Sequence, residues 1–150
     1  MYASGSSFLR IDGNHTRRAI RHDLSVAHRI LTEGGIVNLD DFLHPNFLGA
    51  TYGAIEWMTE HKDAFELLLV GFSQAYLCWP SFINHYMFAM RKLPDHLRLA
   101  GVTDISLSRA SGPRDCLAVG IHSRLYDRDW LMSETDYSNI EGPTGRTPEY

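Results

Sequence analysis

Two short stretches of the chain hold the residue types from which acid, base or metal chemistry is built: Ile11-Asp12-Gly13-Asn14-His15 and Leu39-Asp40-Asp41-Phe42. Each is an apolar, strand-like run that ends in acid. Neighbouring strands lie about 4.8 Å apart, so carboxylates at equivalent strand ends can converge on one point. Gathered there, Asp12, Asp40 and Asp41 would repel one another without a cation, and hard oxygen donors select Mg²⁺, Ca²⁺ or Mn²⁺. The plainer reading is that a strand-terminal Asp caps a helix or forms a turn, with Asp40-Asp41 merely the polar exit from a buried strand. Spacing alone leaves both open.

The elements that must position these residues can be read around them. Residues 8–11 suit a buried strand running into a turn at Asp12-Gly13. From Thr16 onward, Ile20, Leu24, Ala27, Ile30 and Leu31 recur at helical spacing, while Arg17, Arg18, Arg21, His22, Ser25 and Arg29 mostly fill the other face. Asn14 or Thr16 can cap the start, and Gly34-Gly35 is expected to end the helix. Residues 36–39 make a second strand. Strand, helix and strand within roughly 30 residues form a βαβ unit with parallel strands. Both acidic ends then fall on one edge of the sheet, outside the carboxyl ends of the strands, where open α/β sheets bind ligands.

Downstream, residues 49–61 read as a helix and residues 65–72 and 75–78 as strands, one bent ladder broken at Gly71 being an option. Pro80 opens a helical stretch over 81–93 that Pro94 is expected to stop. Residues 104–108 and 116–122 flank the turn-rich Ala110-Ser111-Gly112-Pro113-Arg114, the signature of an antiparallel hairpin. The polar stretch 126–150 holds Gly142-Pro143, Gly145 and Pro148 and is expected to be a weakly ordered tail behind a domain over 1–125. Trp57, Tyr76, Trp79, Phe82, Tyr86 and Phe88 could line an acceptor pocket over the acidic edge, although aromatic residues at such spacing more often form plain core.

Composition narrows the class. A chain of 150 residues with 44% hydrophobic and 11% aromatic residues suits one globular domain, which excludes disorder, collagen and coiled coil for its bulk. With 14 Lys and Arg against 18 Asp and Glu, a net charge of −4 and no basic run, a nucleic-acid binder or polybasic membrane anchor is not indicated. Cys78 and Cys116 lack CxxC spacing, so neither a zinc site nor a disulfide framework is expected. No apolar run reaches the roughly 18 to 20 residues of a membrane helix, and the N-terminus lacks the pattern of a signal peptide. The expectation is a soluble, cytoplasmic protein.

The segment Phe8-Leu9-Arg10-Ile11-Asp12-Gly13-Asn14-His15, a helix containing Asp23-Leu24, and Gly34-Gly35-Ile36-Val37-Asn38-Leu39-Asp40-Asp41-Phe42 together resemble the fourth strand, following helix and fifth strand of class I S-adenosylmethionine-dependent methyltransferases. The resemblance is closest to the metal-dependent sugar O-methyltransferases of macrolide and aminocoumarin biosynthesis, and Leu48-Gly49-Ala50-Thr51-Tyr52-Gly53-Ala54 is similar to the helix opening that follows in that branch. It covers residues 8–60 well and 65–122 more loosely. It implies a Rossmann-like fold seen from its fourth strand onward, a parallel βαβ followed by an antiparallel C-terminal hairpin. By the same resemblance Asp12, Asp40 and Asp41 would hold Mg²⁺, which lowers the pKa of a bound substrate hydroxyl and readies it for attack on the sulfonium methyl group. Some relatives carry Asp where this chain has Asn14, so His15 becomes the candidate base, with His44 on the same rim as a substitute and His22 and His28 as solvated surface. A capping role for His15, ahead of the helix starting at Thr16, is the alternative.

The chain also departs from that pattern. The fold's methionine-binding turn is glycine-rich and follows its first strand, yet no GxGxG occurs here. At ~30 residues per βα unit, roughly 90 to 100 residues would lie upstream, so the chain reads as the carboxyl-terminal half of a methyltransferase, inactive alone. Its partners would be a small-molecule hydroxyl substrate and either the missing half or further copies of itself, with neither nucleic acid nor membrane. The other reading is a non-catalytic interaction or assembly module derived from that fold, pairing along the open edge of its first strand. A receiver-like phosphoacceptor domain fits less well, because the single acid precedes the pair and the lysines, Lys62 and Lys92, lie in helical patterns.

Overall fold

The computed structural model describes residues 5–102, 105–109 and 118–123; the turn at 110–117 and the tail at 126–150 lie outside the described residues. The chain is α/β, and its described residues form a mixed six-stranded sheet with helices on both faces. Strand β1 (Ser6–Ile11) leads through helix α1 (Arg17–Ile30) to β2 (Leu31–Asp40), which pairs parallel with β1. Helix α2 (Leu48–Glu60) then leads to the hairpin of β3 (Glu66–Gly71) and β4 (Gln74–Cys78). A 3-10 turn, Pro80–Phe82, opens α3 (Ile83–Met90), followed by α4 (Leu93–Leu99), β5 (Ile105–Arg109) and β6 (Val119–Ser123). The spatial order is β1-β2-β4-β3-β6-β5, with β4 antiparallel to β2 and β6 parallel to β3.

Helix α1 forms where the periodicity places it. Thr16 is its N-cap, accepting from the Ala19 amide at 3.4 Å, and Ile20, Leu24 and Ala27 are buried. Its first turn carries Arg17 and no acid, an unfavourable pairing with the helix dipole that acids on α2 offset. Arg17 bonds Glu56, and Arg21 forks onto Glu60 at 2.6 and 2.9 Å. The two helices also approach closely through glycine. A Cβ at Gly49 would stand 2.5 Å from the His15 carbonyl oxygen, and one at Gly53 2.7 Å from that of Arg17. The larger core lies between α1, α2 and one sheet face, around Val37, Leu39, Trp57 and Leu77; α3 covers the other face through Ile83 and Met87.

Several local expectations are corrected. Gly34-Gly35 does not end α1: the helix stops at Ile30, and Leu31, already extended, begins β2 directly. Gly34 instead takes φ +75° inside β2, where Ser6 pairs with Leu31 but Phe8 with Ile36, so the extra β2 residues bulge out. The Phe82 ring lies 3.0 Å from where a Cβ would stand, and the Tyr86 hydroxyl bonds the Gly34 carbonyl. Residues 66–78 form a hairpin, not one bent ladder. Its turn, Phe72-Ser73, has both residues left-handed at φ 50° and 59°, the backbone of a type I′ turn. Pro94 opens α4 and does not stop the preceding helix, which ends at Met90, because proline's fixed φ and missing N–H suit a first helical turn. Strands β5 and β6 pair antiparallel, as the hairpin pattern implies. Among the described residues no helix is long and apolar enough to cross a membrane.

Candidate acidic edge at the carboxyl ends of the first two strands

The parallel pairing of Ile11 with Leu39 sets the ends of β1 and β2 level, and the antiparallel pairing of Asp40 with Gln74 brings the start of β4 to the same edge. Side chains two apart on a strand share a face, so Arg10 of β1, Asn38 and Asp40 of β2 and Gln74 of β4 stand together, with Asp12, just past the end of β1, beside Arg10. They form one chain of polar contacts. Asn38, buried at 4% exposure, donates its amide to Gln74 Oε1 at 2.8 Å, and the Gln74 amide donates to Asp40 Oδ1. The Arg10 guanidinium donates to Asp40 Oδ2 at 2.7 Å and lies 3.0 Å from Asp12 Oδ2. The Asp41 amide adds a bond to Asp40 Oδ1 at 3.1 Å. Burial pushes the Asp40 carboxyl up, but bonds from Arg10, the Asp41 amide and Gln74 together hold it below the usual carboxylate range. Its two acid neighbours hold the Arg10 guanidinium above its ordinary value, Asp40 foremost.

Beyond Asp40 the backbone turns sharply. Asp41 and Leu43 both lie in the left-handed region, at φ 55° and 62°, a conformation Asp tolerates better than Leu. The loop is tied to α2 by the Leu43 amide, which donates to the buried Thr51 hydroxyl at 2.8 Å. This turn aims Asp41 away from Asp40 and toward the start of α1, where Asp41 Oδ2 lies 2.7 Å from His15 Nε2. The approach is close but off the ring N–H axis, so Nε2 is buried there without a well-aligned hydrogen bond. Phe47 packs beside the pair, its ring 4.5 Å from His15 and 5.0 Å from His44. His44 therefore joins the rim through Phe47. Its Nδ1 accepts from the Asn46 amide at 3.2 Å, and Asn14 accepts from the Thr16 amide at 3.0 Å in a turn that feeds the helix.

The structure thus brings Asp12, Asp40, Asp41 and His15 to one edge but sorts them into two groups: Asp12 with Asp40 around Arg10, and Asp41 with His15. Among the described residues no group of three His, Cys, Asp or Glu side chains is arranged to hold a metal ion, and the donor set the resemblance implies for Mg²⁺ does not fit one as it stands. Arg10 was not among the residues singled out from sequence, although it stands only two residues before Asp12 at the end of β1. Asn38 and Gln74 carried no such signal, because only the hairpin reveals that β4 lies beside β2.

Apart from Tyr76, the aromatic residues do not stand over this edge. Trp57 is buried in the core and donates to the Ser25 hydroxyl at 2.8 Å. Trp79 donates to the Thr32 carbonyl at 2.9 Å, at the end of the sheet opposite Asp40. Phe82 and Tyr86 pack on Gly34, and Phe88, 38% exposed, lies under Arg91. Tyr76 shares the face of Arg10 and Asn38. His28, expected on solvated surface, instead packs among Trp57, Phe65 and Trp79, its ring 5.0 to 6.0 Å from theirs.

No protein-family model matches this chain, and no curated protein matches it.

Proposed function

We propose that this chain carries the acceptor-side edge of a class I S-adenosylmethionine-dependent O-methyltransferase, in which His15, held against Asp41, takes the proton from a small-molecule hydroxyl. The observation that carries this is the 2.7 Å approach of Asp41 Oδ2 to His15 Nε2 at the carboxyl edge of a parallel βαβ unit. A carboxylate close to one imidazole nitrogen leaves the other nitrogen as the acceptor for a substrate proton. Phe47 limits the ring's freedom to turn. The antiparallel pairing of β5 with β6 suits the same reading, since the resemblance implies a parallel βαβ followed by an antiparallel C-terminal hairpin.

S-adenosylmethionine supplies the methyl group in such enzymes. Its methionine part needs a glycine-rich strand-to-helix turn, and no GxGxG occurs in this sequence, so the residues described do not fit it and binding falls to residues other than these. Mg²⁺, which the resemblance assigns to Asp12, Asp40 and Asp41, has no assembled ligand set among the described residues.

Calorimetric titration of this chain with S-adenosylmethionine is expected to show no micromolar binding; micromolar binding would contradict a cofactor site elsewhere. In an S-adenosylmethionine methyl-transfer assay of the chain joined to its cofactor-binding part, His15→Gln is expected to lower kcat about 10²- to 10⁴-fold with little change in KM. An unchanged kcat would remove His15 as the base.

A second reading rests on a different observation. Among the described residues β1 is an edge strand, and beside it Leu9, Val26, Ala27 and Ile30 line a groove, with Phe8 53% and Ile30 47% exposed. Open edges with apolar flanks pair with other chains, which favours an assembly module. Light scattering after size-exclusion chromatography separates the two, because a stable monomer of 17.0 kDa argues against an obligate partner.

A further inference from the structure

We propose that Arg10 is the resident cation of the acidic edge: its guanidinium stands between Asp12 and Asp40, where the family resemblance implies a divalent ion, and keeps such an ion out. The distances carry this. One terminal nitrogen of Arg10 lies 2.7 Å from Asp40 Oδ2 and 3.0 Å from Asp12 Oδ2, so a single group serves both acids.

The remaining oxygen of Asp40 is also taken. Oδ1 accepts from the Asp41 amide at 3.1 Å and from Gln74, whose own carbonyl is held by the buried Asn38 at 2.8 Å. A metal ion at this edge would have to displace a guanidinium tethered to β1 and break the amide hydrogen bonds that join β2 and β4 through Asn38, Gln74 and Asp40. The third expected ligand, Asp41, faces His15 across the turn. Hard cations need several oxygens converging on one point, and here both oxygens of Asp40 are committed to protein donors, Asp12 shares Arg10 with it, and Asp41 faces elsewhere.

The arrangement has a consequence for His15. Asp40 receives the amide of Asp41, so the charge that fixes Asp40 also fixes the left-handed turn at φ 55° from which the Asp41 carboxylate reaches the imidazole. Arg10 is therefore a positioning residue for the His15–Asp41 pair. This goes beyond the proposed reaction, because it concerns which cation the edge accepts and holds whether or not His15 acts on a hydroxyl.

The test is a Mn²⁺ titration of the full chain at pH 7, followed by paramagnetic broadening of the Asp12, Asp40 and Asp41 amides against those around the exposed Asp63. It is run on the unaltered protein, Arg10→Met and Arg10→Lys. The unaltered protein and Arg10→Lys are expected to show no preference of Mn²⁺ for the edge. Arg10→Met, similar in reach but uncharged, is expected to tighten apparent Mn²⁺ binding there by tenfold or more, and adding Asp40→Asn to it should abolish the gain. The ring signals of His15 should shift in Arg10→Met and return in Arg10→Lys, which a merely structural role of the side chain would not produce. Arg10 is exposed on an edge strand, so the variants are expected to fold, and thermal melts check this. Edge binding in the unaltered protein as tight as in Arg10→Met, or no gain in Arg10→Met, would overturn the inference. So would Arg10→Lys behaving like Arg10→Met. None of these results would touch the kcat test of His15, so the two ideas fail separately.

Discussion

Gly53→Ala sets helix propensity against packing, and the structure decides which wins. Alanine is favoured over glycine inside a helix by about 1 kcal/mol, so propensity alone makes this substitution stabilising. Gly53 is buried where α2 crosses α1, however, and a Cβ there would stand 2.7 Å from the Arg17 carbonyl oxygen, 3.2 Å from Arg17 Cα and 3.1 Å from Ile20 Cβ. Favourable carbon packing needs roughly 3.5 Å or more, and backbone atoms cannot swing aside as a side-chain tip can. The helices must part, loosening contacts around Ile20, Ala50 and Trp57. Overpacking of this kind costs about 1 to 3 kcal/mol, and with the propensity gain set against its upper half the expected net loss is about 1 to 2 kcal/mol. For a chain of this length that lowers Tm by roughly 2 to 8 °C. Urea unfolding followed by circular dichroism should show a lower midpoint at unchanged slope. Gly13→Ala is the control: its Cβ would meet nothing nearer than Asp23 Oδ2 at 3.9 Å, and the change should stay within about 0.5 kcal/mol. A Gly53→Ala midpoint at or above that of the unaltered protein would refute the close helix crossing.

Three further outcomes follow from the same geometry. Asp40 titrates below its unfolded value in the folded state, so its stabilising contribution is complete above the unfolded pKa of about 3.9 and is lost as pH falls through the lower folded value. Melting curves from pH 5 to 2 should therefore fall less steeply in Asp40→Asn than in the unaltered protein, and equal slopes would contradict the ion pair with Arg10. Replacing Phe72-Ser73 by Asn-Gly suits the left-handed backbone of the hairpin turn and should raise stability by about 1 kcal/mol in urea unfolding, since both residues now adopt positive φ without glycine. Burial pushes the Cys78 thiol up to about 12, so in a Cys116→Ser variant a thiol reagent at pH 8 should react only after denaturation.

The parts of the fold that were legible in sequence are those governed by local periodicity. The apolar stripe of Ile20, Leu24 and Ala27 and the cap at Thr16 mark α1 because a helix satisfies its own hydrogen bonds and needs only one greasy face. The βαβ unit followed from element order, and with it the shared edge of Asp12 and Asp40. Glycine and proline were the least dependable guides, since each permits a backbone conformation without dictating its use. Gly34 serves a bulge against Phe82 where a helix stop was expected, and Pro94 opens a helix where a stop was expected. His28 was misplaced because a helical flank is solvated only if nothing packs on it, and Phe65 and Trp79 come from distant segments.

By itself, the sequence determined that three acids and a histidine sit where two parallel strands end, because strand-helix-strand connection and side-chain alternation are local rules. It could not determine how those charges are shared. Asn38 and Gln74 lie 2.8 Å apart only because β4 returns antiparallel against β2, and Asp41 meets His15 only because the chain turns left-handed beyond Asp40. Electrostatic pairing depends on distances of a few ångströms between residues tens of positions apart. Those distances are set by tertiary packing, and here they give Asp40, thirty positions along the chain, to Arg10.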